Sequence, residues 1–570
     1  MEITGAKLLL EALKKEGVDT LFGYPGGYVI SIFDALYSEP AINLILPRHE
    51  QALIHAADGY ARATGKVGVC LVTSGPGATN TITGLATAYY DSIPLICITG
   101  QVPTSMIGTD AFQEADIFNI TRSVCKHNYY VTKREDLGRI IKEAFYIATT
   151  GRPGPVVIDL PGDIQKELGS ALYPETITVD GYCDKPELDE NLILDATALI
   201  NSSNKPLFLI GGGMQNQDCA NSFLELVNKT NIPVISTLMG LGVYPEKSPH
   251  NLGMVGMHGS LAANHAISNC DLLIAIGTRF TDRVTSKIET FAKDAKIIHI
   301  DIDESEINKR VMCNISINGD AHQTLSLLLK QNYSLNIESW LNEVVDLKKK
   351  TTILNDEYNP RAILKKIASH YEDAVVSTDV GQHQMHTAQN YPFNTPNTLL
   401  TSGGMGTMGF GLPAAIGASI GLPNKRVISI SGDGGFQMNL QELALVAQLE
   451  LPMIIIIFNN QYLGMVRQWQ QILFNKNYSS TCLRKKKNCP KLCNTPGPNC
   501  PEYSPNFIKL ADAYNIPGYR VSNMAELEET LEISQQKNTP ILIEVLLEPE
   551  INVLPMVPSG ASLNEMITEF

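Results

Sequence analysis

The stretch Arg426–Asn460, RVISISGDGGFQMNLQELALVAQLELPMIIIIFNN, holds two β-branched apolar runs on either side of a helical pattern. The first run ends in Gly432-Asp433-Gly434-Gly435 and the second in Asn459-Asn460. This predicts a strand over 426–431, a crossover helix over 437–448 and a parallel strand over 452–458, a right-handed βαβ unit. Asp433 and Asn460, 27 positions apart, then emerge side by side at the carboxyl ends of two strands, where open α/β sheets bind ligands. A carboxylate and an amide carbonyl are hard oxygen donors suited to Mg²⁺, which completes its octahedron with water, main-chain carbonyls and phosphate oxygens. The glycines let backbone N–H groups approach a diphosphate.

Working outward, similar apolar runs ending in Gly, Asp or Asn recur at 67–75, 94–100, 155–161, 205–213, 271–277 and 296–303. Continuous apolar strands of this kind belong to parallel sheets covered by helices on both faces, so the expected fold class is α/β with three doubly wound parallel-sheet domains. Polar, proline-bearing and helix-poor stretches near 166–190 and 331–360 separate three groups of strands. The expected domains are 1–165, 190–335 and 360–550, with a tail at 551–570. The first and third groups share a plan: a Gly-rich turn, a small-residue helix (GATNTITGLATAYY, GTMGFGLPAAIGASI) and an apolar strand. That likeness points to an old duplication with a different domain between the copies.

The chain has 570 residues, 44% of them hydrophobic and 18% charged, as in a soluble globular protein. With 44 basic and 59 acidic residues the net charge is −15, which argues against nucleic acid as the main partner. The longest apolar stretch, Met453–Phe458, falls far short of the ~20 residues of a membrane span. The N-terminal MEITGAKLLLEALKKEG reads as an amphipathic helix, not a signal or transit peptide. Seven of the 11 cysteines are scattered as in a reduced cytosolic chain, and a cytoplasmic location is expected.

The GDG-to-NN segment resembles that of the thiamin diphosphate enzymes. The resemblance extends over nearly the whole chain to the catalytic subunits of acetohydroxyacid (acetolactate) synthase, through YPGG (24–27), RHEQ (48–51), TSGPGATN (73–80), IGTDAFQE (107–114), KHN (126–128), GRPGPV (151–156), TLMGLG (237–242), GMHG (256–259), TDVGQHQM (378–385), GTMGFGLPAAIGA (406–418), LGMVRQWQ (463–470) and VLPMVP (553–558). It implies thiamin diphosphate, Mg²⁺ and FAD as cofactors. Mg²⁺ would be held by Asp433, Asn460 and the main-chain oxygen of Tyr462. Around thiamin diphosphate the resemblance places Glu50, Val380, Gln382, His383, Met408, Gly432, Gly434, Met465 and Val466.

Glu50, read alone, is an acid complementing a helix dipole. The resemblance makes it the carboxylate that hydrogen-bonds the cofactor pyrimidine, a group expected to be buried with a raised pKa. Met465, Val466 and Trp469 share a helix face, a stripe that by itself reads as core. By resemblance Met465 and Val466 line the cofactor, and Trp469 selects 2-ketobutyrate over pyruvate as acceptor. Arg283 is either an ion-pair partner of Asp282 or, by resemblance, a fork for the acceptor carboxylate. Gly27, Phe112 and Gln113 would border the reacting carbon. For FAD the implied residues are His258, Arg279, Asp301, Asp303 and Asp320 of the middle domain, with Arg152 from the first.

Three features depart from the family: Gly162 stands where most members have Lys, Thr281 where they have Asp, and an insertion at 481–503 carries Cys482, Cys489, Cys493 and Cys500. The insertion reads as a reduced loop, a metal or Fe–S site, or a disulfide clasp, and is expected near the site mouth. The resemblance implies decarboxylation of pyruvate and transfer of the two-carbon unit to pyruvate or 2-ketobutyrate, towards valine, leucine and isoleucine. It implies at least a homodimer and a separate regulatory small subunit. Other thiamin enzymes on the same architecture, and a silent cofactor-binding protein, are the alternatives. Arg283 and Trp469 argue against the first, and the presence of Glu50, Asp433 and Asn460 against the second.

Overall fold

Each of the three strand groups forms its own six-stranded sheet, and every pairing within them is parallel. The molecule is described here from a computed structural model covering residues 2–351, 357–493, 497 and 499–569. Met1, Phe570, residues 352–356 within the expected boundary stretch 331–360, and residues 494–496 and 498 of the insertion lie outside the described residues.

The first sheet runs Asn43–Ile45, Thr20–Gly23, Gly68–Val72, Leu95–Gln101, Val156–Pro161, His127–Tyr130, and the third runs Leu399–Leu400, Val375–Thr378, Val427–Gly432, Ile454–Asn459, Ile541–Leu546, Gly518–Val521. Numbered within each sheet, both have the order 2-1-3-4-6-5. The middle sheet, Asn251–Met254, Val234–Ser236, Pro206–Ile210, Leu272–Ile276, Lys296–Asp301, Ile315–Asn318, has the order 3-2-1-4-5-6 typical of dinucleotide-binding domains. A small antiparallel pair, Glu2–Thr4 with Leu168–Ser170, closes the first domain.

Two expectations fail locally. The crossover expected as one helix over 437–448 is broken into Asp433–Phe436, a 3-10 turn Leu440–Glu442 and Leu443–Gln448. Asn439 breaks it, because its side-chain amide donates to the Gly409 carbonyl (2.7 Å) instead of continuing a helix. The stretch 331–360 is not helix-poor: Glu338–Thr351 is helical. Ile337, Trp340 and Val344 are buried against the middle domain, and the Trp340 indole donates to the Pro206 carbonyl. The apolar residues of this helix (Trp340, Leu341, Val344, Val345 and Leu347) are interleaved with many charges and give a weak sequence signal, which burial of the indole overrides.

The first and third domains share one core, in which Phe22, Leu53 and Ile54 pack with Leu412, Ile416 and Phe436. Each such buried side chain contributes roughly 1.5–3 kcal/mol. At its centre the helix Glu50–Thr64 lies directly on the helix Gly411–Gly421. A Cβ on Gly417 would sit 1.8 Å from the Ala56 oxygen, so the backbones touch and no larger residue fits. The tail folds back on the middle domain, where Val557 N donates to the Met257 carbonyl and Leu563 is buried. No helix among the described residues is long and apolar enough to cross a membrane.

Candidate active site

In the third sheet the strand order reverses between Val375–Thr378 and Val427–Gly432, and an open cleft lies beyond their carboxyl ends. Val380, Gln382, His383, Met408, Gly432, Asp433, Gly434, Asn460, Tyr462, Met465 and Val466 all line it. Asp433 is buried and its Oδ2 has no partner, and burial pushes the carboxyl up to about 7. Asn460 accepts from Tyr462 N (3.1 Å) and donates to Gln382 Oε1 (3.2 Å). His383 is buried, held neutral by desolvation with its pKa down to about 4, and its Nε2 is also without a partner. A Cβ on Gly432 would lie 2.8 Å from His383 Nδ1, and one on Gly434 2.7 Å from Leu463. At Gly432 the buried His383 ring leaves no room for a side chain, whereas at Gly434 Leu463 would have to shift.

Asp379 is a residue the sequence reading passed over. Its buried carboxylate accepts from Gly409 N (2.9 Å) and Gly411 N (3.1 Å), fixing the turn that carries Met408. The signal was the acid in TDVG immediately after a strand.

The helix Gly464–Leu473 inverts the usual rule, since its buried residues are Arg467 and Gln468 while Val466 is 49% exposed. Gln468 bonds Gln382 Nε2 (2.9 Å) and Val553 N (2.9 Å), and the Arg467 guanidinium stacks on Tyr462 and Tyr478 and pairs with Glu550. The polar face thus anchors the helix, while Met465 and Val466 line the cleft and Trp469 is only partly buried.

The first-domain residues gather around the turn Thr73–Asn80. Glu50 starts its helix behind the His49 cap and accepts from Asn80 Nδ2 (2.9 Å). Gln113 takes a left-handed φ of 63° with its backbone against Gly75, and Gly27 opens a turn beside Thr73. Phe112 projects 80% exposed, its carbonyl accepting from Tyr28. Glu50 is half-buried, and no residue of the first domain lines the third-domain cleft. The two sets of residues are each assembled, but not with one another.

In the middle domain His258, Arg279, Asp301, Asp303 and Asp320 all follow carboxyl ends of the sheet. Arg152 reaches across to Asp303 (3.0 Å) and Glu306 (3.3 Å). Burial pushes Asp301 up to about 6 and His258 down to about 4, and His258 Nδ1 has no partner. Gly211 and Gly213 press against Gly277 at the switch between the first and fourth strands. Asp320 also has a local task, capping the helix Ala321–Leu329 through Gln323 N (2.9 Å). Arg283 is largely exposed, 3.9 Å from Asp282.

The insertion is pinned beside the cleft at both ends. Tyr462 pairs with Cys482 in an antiparallel bridge, Leu483 lies 3.3 Å from where a Gly434 Cβ would be, and Tyr503 accepts from Gln437 Nε2 (3.0 Å). No disulfide joins Cys482, Cys489, Cys493 or Cys500, so the clasp is not formed. Among the described residues no group of three or more His, Cys, Asp or Glu side chains is placed to hold a metal ion.

Family models match the chain in three successive parts: the thiamine pyrophosphate enzyme N-terminal TPP binding domain at 3–120, the central domain at 193–328 and the C-terminal TPP binding domain at 379–545. The chain is 45% identical over 580 residues to a probable acetolactate synthase large subunit of Methanocaldococcus jannaschii, covering 99% of this chain and 95% of that one. It is 45% identical over 580 residues to the chloroplastic acetolactate synthase of Arabidopsis thaliana (99% and 84%). It is 43% identical over 581 residues to the acetolactate synthase large subunit of Porphyra purpurea (99% and 95%). Likeness of this extent, on three domains in this order, makes the chain a member of the acetolactate synthase large-subunit family, thiamin diphosphate-dependent enzymes.

Proposed function

We propose that this catalytic subunit holds thiamin diphosphate through Mg²⁺ in the third-domain cleft and FAD on the middle domain, and that it acts as a homodimer or higher homo-oligomer with a separate regulatory small subunit. It decarboxylates pyruvate and transfers the remaining two-carbon unit to pyruvate, giving 2-acetolactate, or to 2-ketobutyrate, giving 2-aceto-2-hydroxybutyrate, in branched-chain amino acid biosynthesis. The observation that carries the reading is the buried, unpartnered Asp433 Oδ2 beside Asn460 at a switch point, an acid that a hard cation would satisfy.

Bound thiamin diphosphate supplies the electron sink for decarboxylation and for the new carbon–carbon bond. Asp433, Asn460 and the Tyr462 carbonyl would hold the metal, and Gln382 and His383 the diphosphate, with Val380, Met408, Met465 and Val466 packed on the rest. Glu50 would hold the proton it shares with the pyrimidine ring. Arg283, exposed and only loosely paired, is free to fork onto the acceptor carboxylate, while Trp469 meets its alkyl end. Gly27, Phe112 and Gln113 border the reacting carbon.

The residues at the carboxyl ends of the 3-2-1-4-5-6 sheet fit FAD, which enters no electron balance because the overall reaction has no net redox change. Separation of the Glu50 set from the cleft within one chain, together with exposed Phe112 and Val466, supports a site completed by a second copy. The relatives are named large subunits, which supports a smaller regulatory partner. Cysteines scattered singly through the chain, among them the buried Cys70, Cys97, Cys125, Cys219 and Cys270, favour a reducing, cytoplasmic setting.

The test is a product assay on the purified chain with thiamin diphosphate, Mg²⁺ and FAD, given pyruvate alone and then with 2-ketobutyrate. Acetohydroxybutyrate should dominate the mixed reaction; acetaldehyde or acetate without acetolactate would overturn the roles of Arg283 and Trp469.

A further inference from the structure

The corner Tyr90–Asp91–Ser92, where the helix Ile82–Asp91 ends and Ser92 turns back with φ 62°, touches all three domains at once. The Tyr90 carbonyl accepts from Arg279 Nη2 (2.6 Å), and Ser92 Oγ accepts from Arg152 Nε (2.8 Å). Those two arginines belong to the candidate dinucleotide site. Between them, the Asp91 carboxylate accepts from Gly403 N (3.1 Å) and Gly404 N (2.7 Å), in the loop that leads into Met408.

Asp91 has no local reason to be acidic. A carboxylate on the last residue of a helix faces the negative end of its dipole. It is kept there with no side-chain exposure by Arg62 (3.0 Å), which is itself braced by Asp58 (2.5 Å) and donates to the Thr401 carbonyl (3.0 Å). Thr87, one turn earlier, bonds Thr407 through its hydroxyl (2.7 Å). A buried charge is retained at this cost only with its partners in place, and two of the partners are backbone N–H groups of the third domain.

We propose that this corner is a positioning element through which occupancy of the middle-domain dinucleotide site raises the affinity for thiamin diphosphate, with Asp91 as the residue that transmits it. A dinucleotide that engages Arg279 and Arg152 fixes the two guanidinium groups that hold Tyr90 and Ser92. The corner then holds Gly403 and Gly404, and the Met408 turn is ordered before the second cofactor arrives. By linkage, thiamin diphosphate strengthens dinucleotide binding by the same factor.

The inference rests on the FAD and thiamin diphosphate sites proposed above. Titration calorimetry with Mg²⁺ present would measure thiamin diphosphate binding to flavin-stripped and FAD-reloaded chain, with FAD binding measured separately. FAD is expected to tighten thiamin diphosphate at least about fivefold in the natural chain. Asp91→Asn should bind FAD within about twofold of the natural chain and lose that gain. Thr87→Val, which loosens the same loop away from the corner, should keep the gain. If Asp91→Asn does not fold well enough to load, Arg62→Lys, which withdraws the fork from Asp91 and Thr401, should show the same loss. FAD binding without any change in thiamin diphosphate affinity, or an undiminished gain in the corner variants, would overturn the coupling alone. Failure of FAD to bind at all would overturn the dinucleotide site and the coupling with it.

Discussion

Glu50 is half-buried, and its side chain accepts a hydrogen bond from Asn80. Glu50→Gln keeps that geometry and removes only the ability to exchange a proton. It should lower kcat by about 10²–10⁴-fold, while thiamin diphosphate binding by calorimetry stays close to that of the natural chain. Natural turnover in this variant would remove Glu50 from the chemistry. Trp469 was ambiguous in the sequence, because Met465, Val466 and Trp469 make the same stripe whether core or site. Burial of Arg467 and Gln468 on the other face keeps this stripe out of the core, and Met465 and Val466 line the cleft. Trp469→Leu is expected to shift the mixed-substrate product ratio towards acetolactate by about tenfold, since one methylene contact is worth ~1–3 kcal/mol.

At the scale of elements, the pair of helices Glu50–Thr64 and Gly411–Gly421 sets how the first and third domains meet. Gly417→Val must push the Ala56 backbone away and should destabilise the chain by at least about 1–3 kcal/mol, read as a lower Tm. A natural Tm would mean that the helices do not touch as described. The insertion behaves oppositely: both its ends are fastened by residues other than Cys489, Cys493 and Cys500. Replacing those three with Ser should leave kcat within about twofold, as surface changes away from packed features usually do. A large loss, or stoichiometric zinc or iron in the purified chain, would restore a metal role for the loop. The broken crossover after Asp433 was illegible for a related reason, because Asn439 leaves the helix for a carbonyl thirty residues away in sequence.

For the whole molecule, the shared core of the first and third domains contains His55, fully buried with both ring nitrogens unpartnered, its ring edge-on to Phe410. Burial, with Arg62 and His49 nearby, holds its pKa down to about 3. A histidine whose folded pKa is depressed stabilises the fold above about 6.5 and loses that contribution as pH falls towards 3. His55→Phe should therefore flatten the fall of Tm between about pH 6.5 and 4; an unchanged acid limb would show that His55 is not buried neutral.

The sequence by itself determined the α/β class and the three groups of strands, and it singled out the residues proposed to hold the metal and the diphosphate. Those signals are local: a run of β-branched residues, a GDG turn and an Asn pair are each read within a few dozen positions. Tertiary structure alone decided that the first and third sheets share one strand order while the middle sheet has another, because register between distant strands is fixed by packing. It also decided which face of the Trp469 helix is anchored and that Glu50 is only half-buried in a single chain. The joining of Arg152, Arg279 and the Met408 loop at Asp91 was likewise invisible in the sequence. The contacts there link residues up to 313 positions apart, and no local pattern records which of two distant segments will supply a buried charge with its partners.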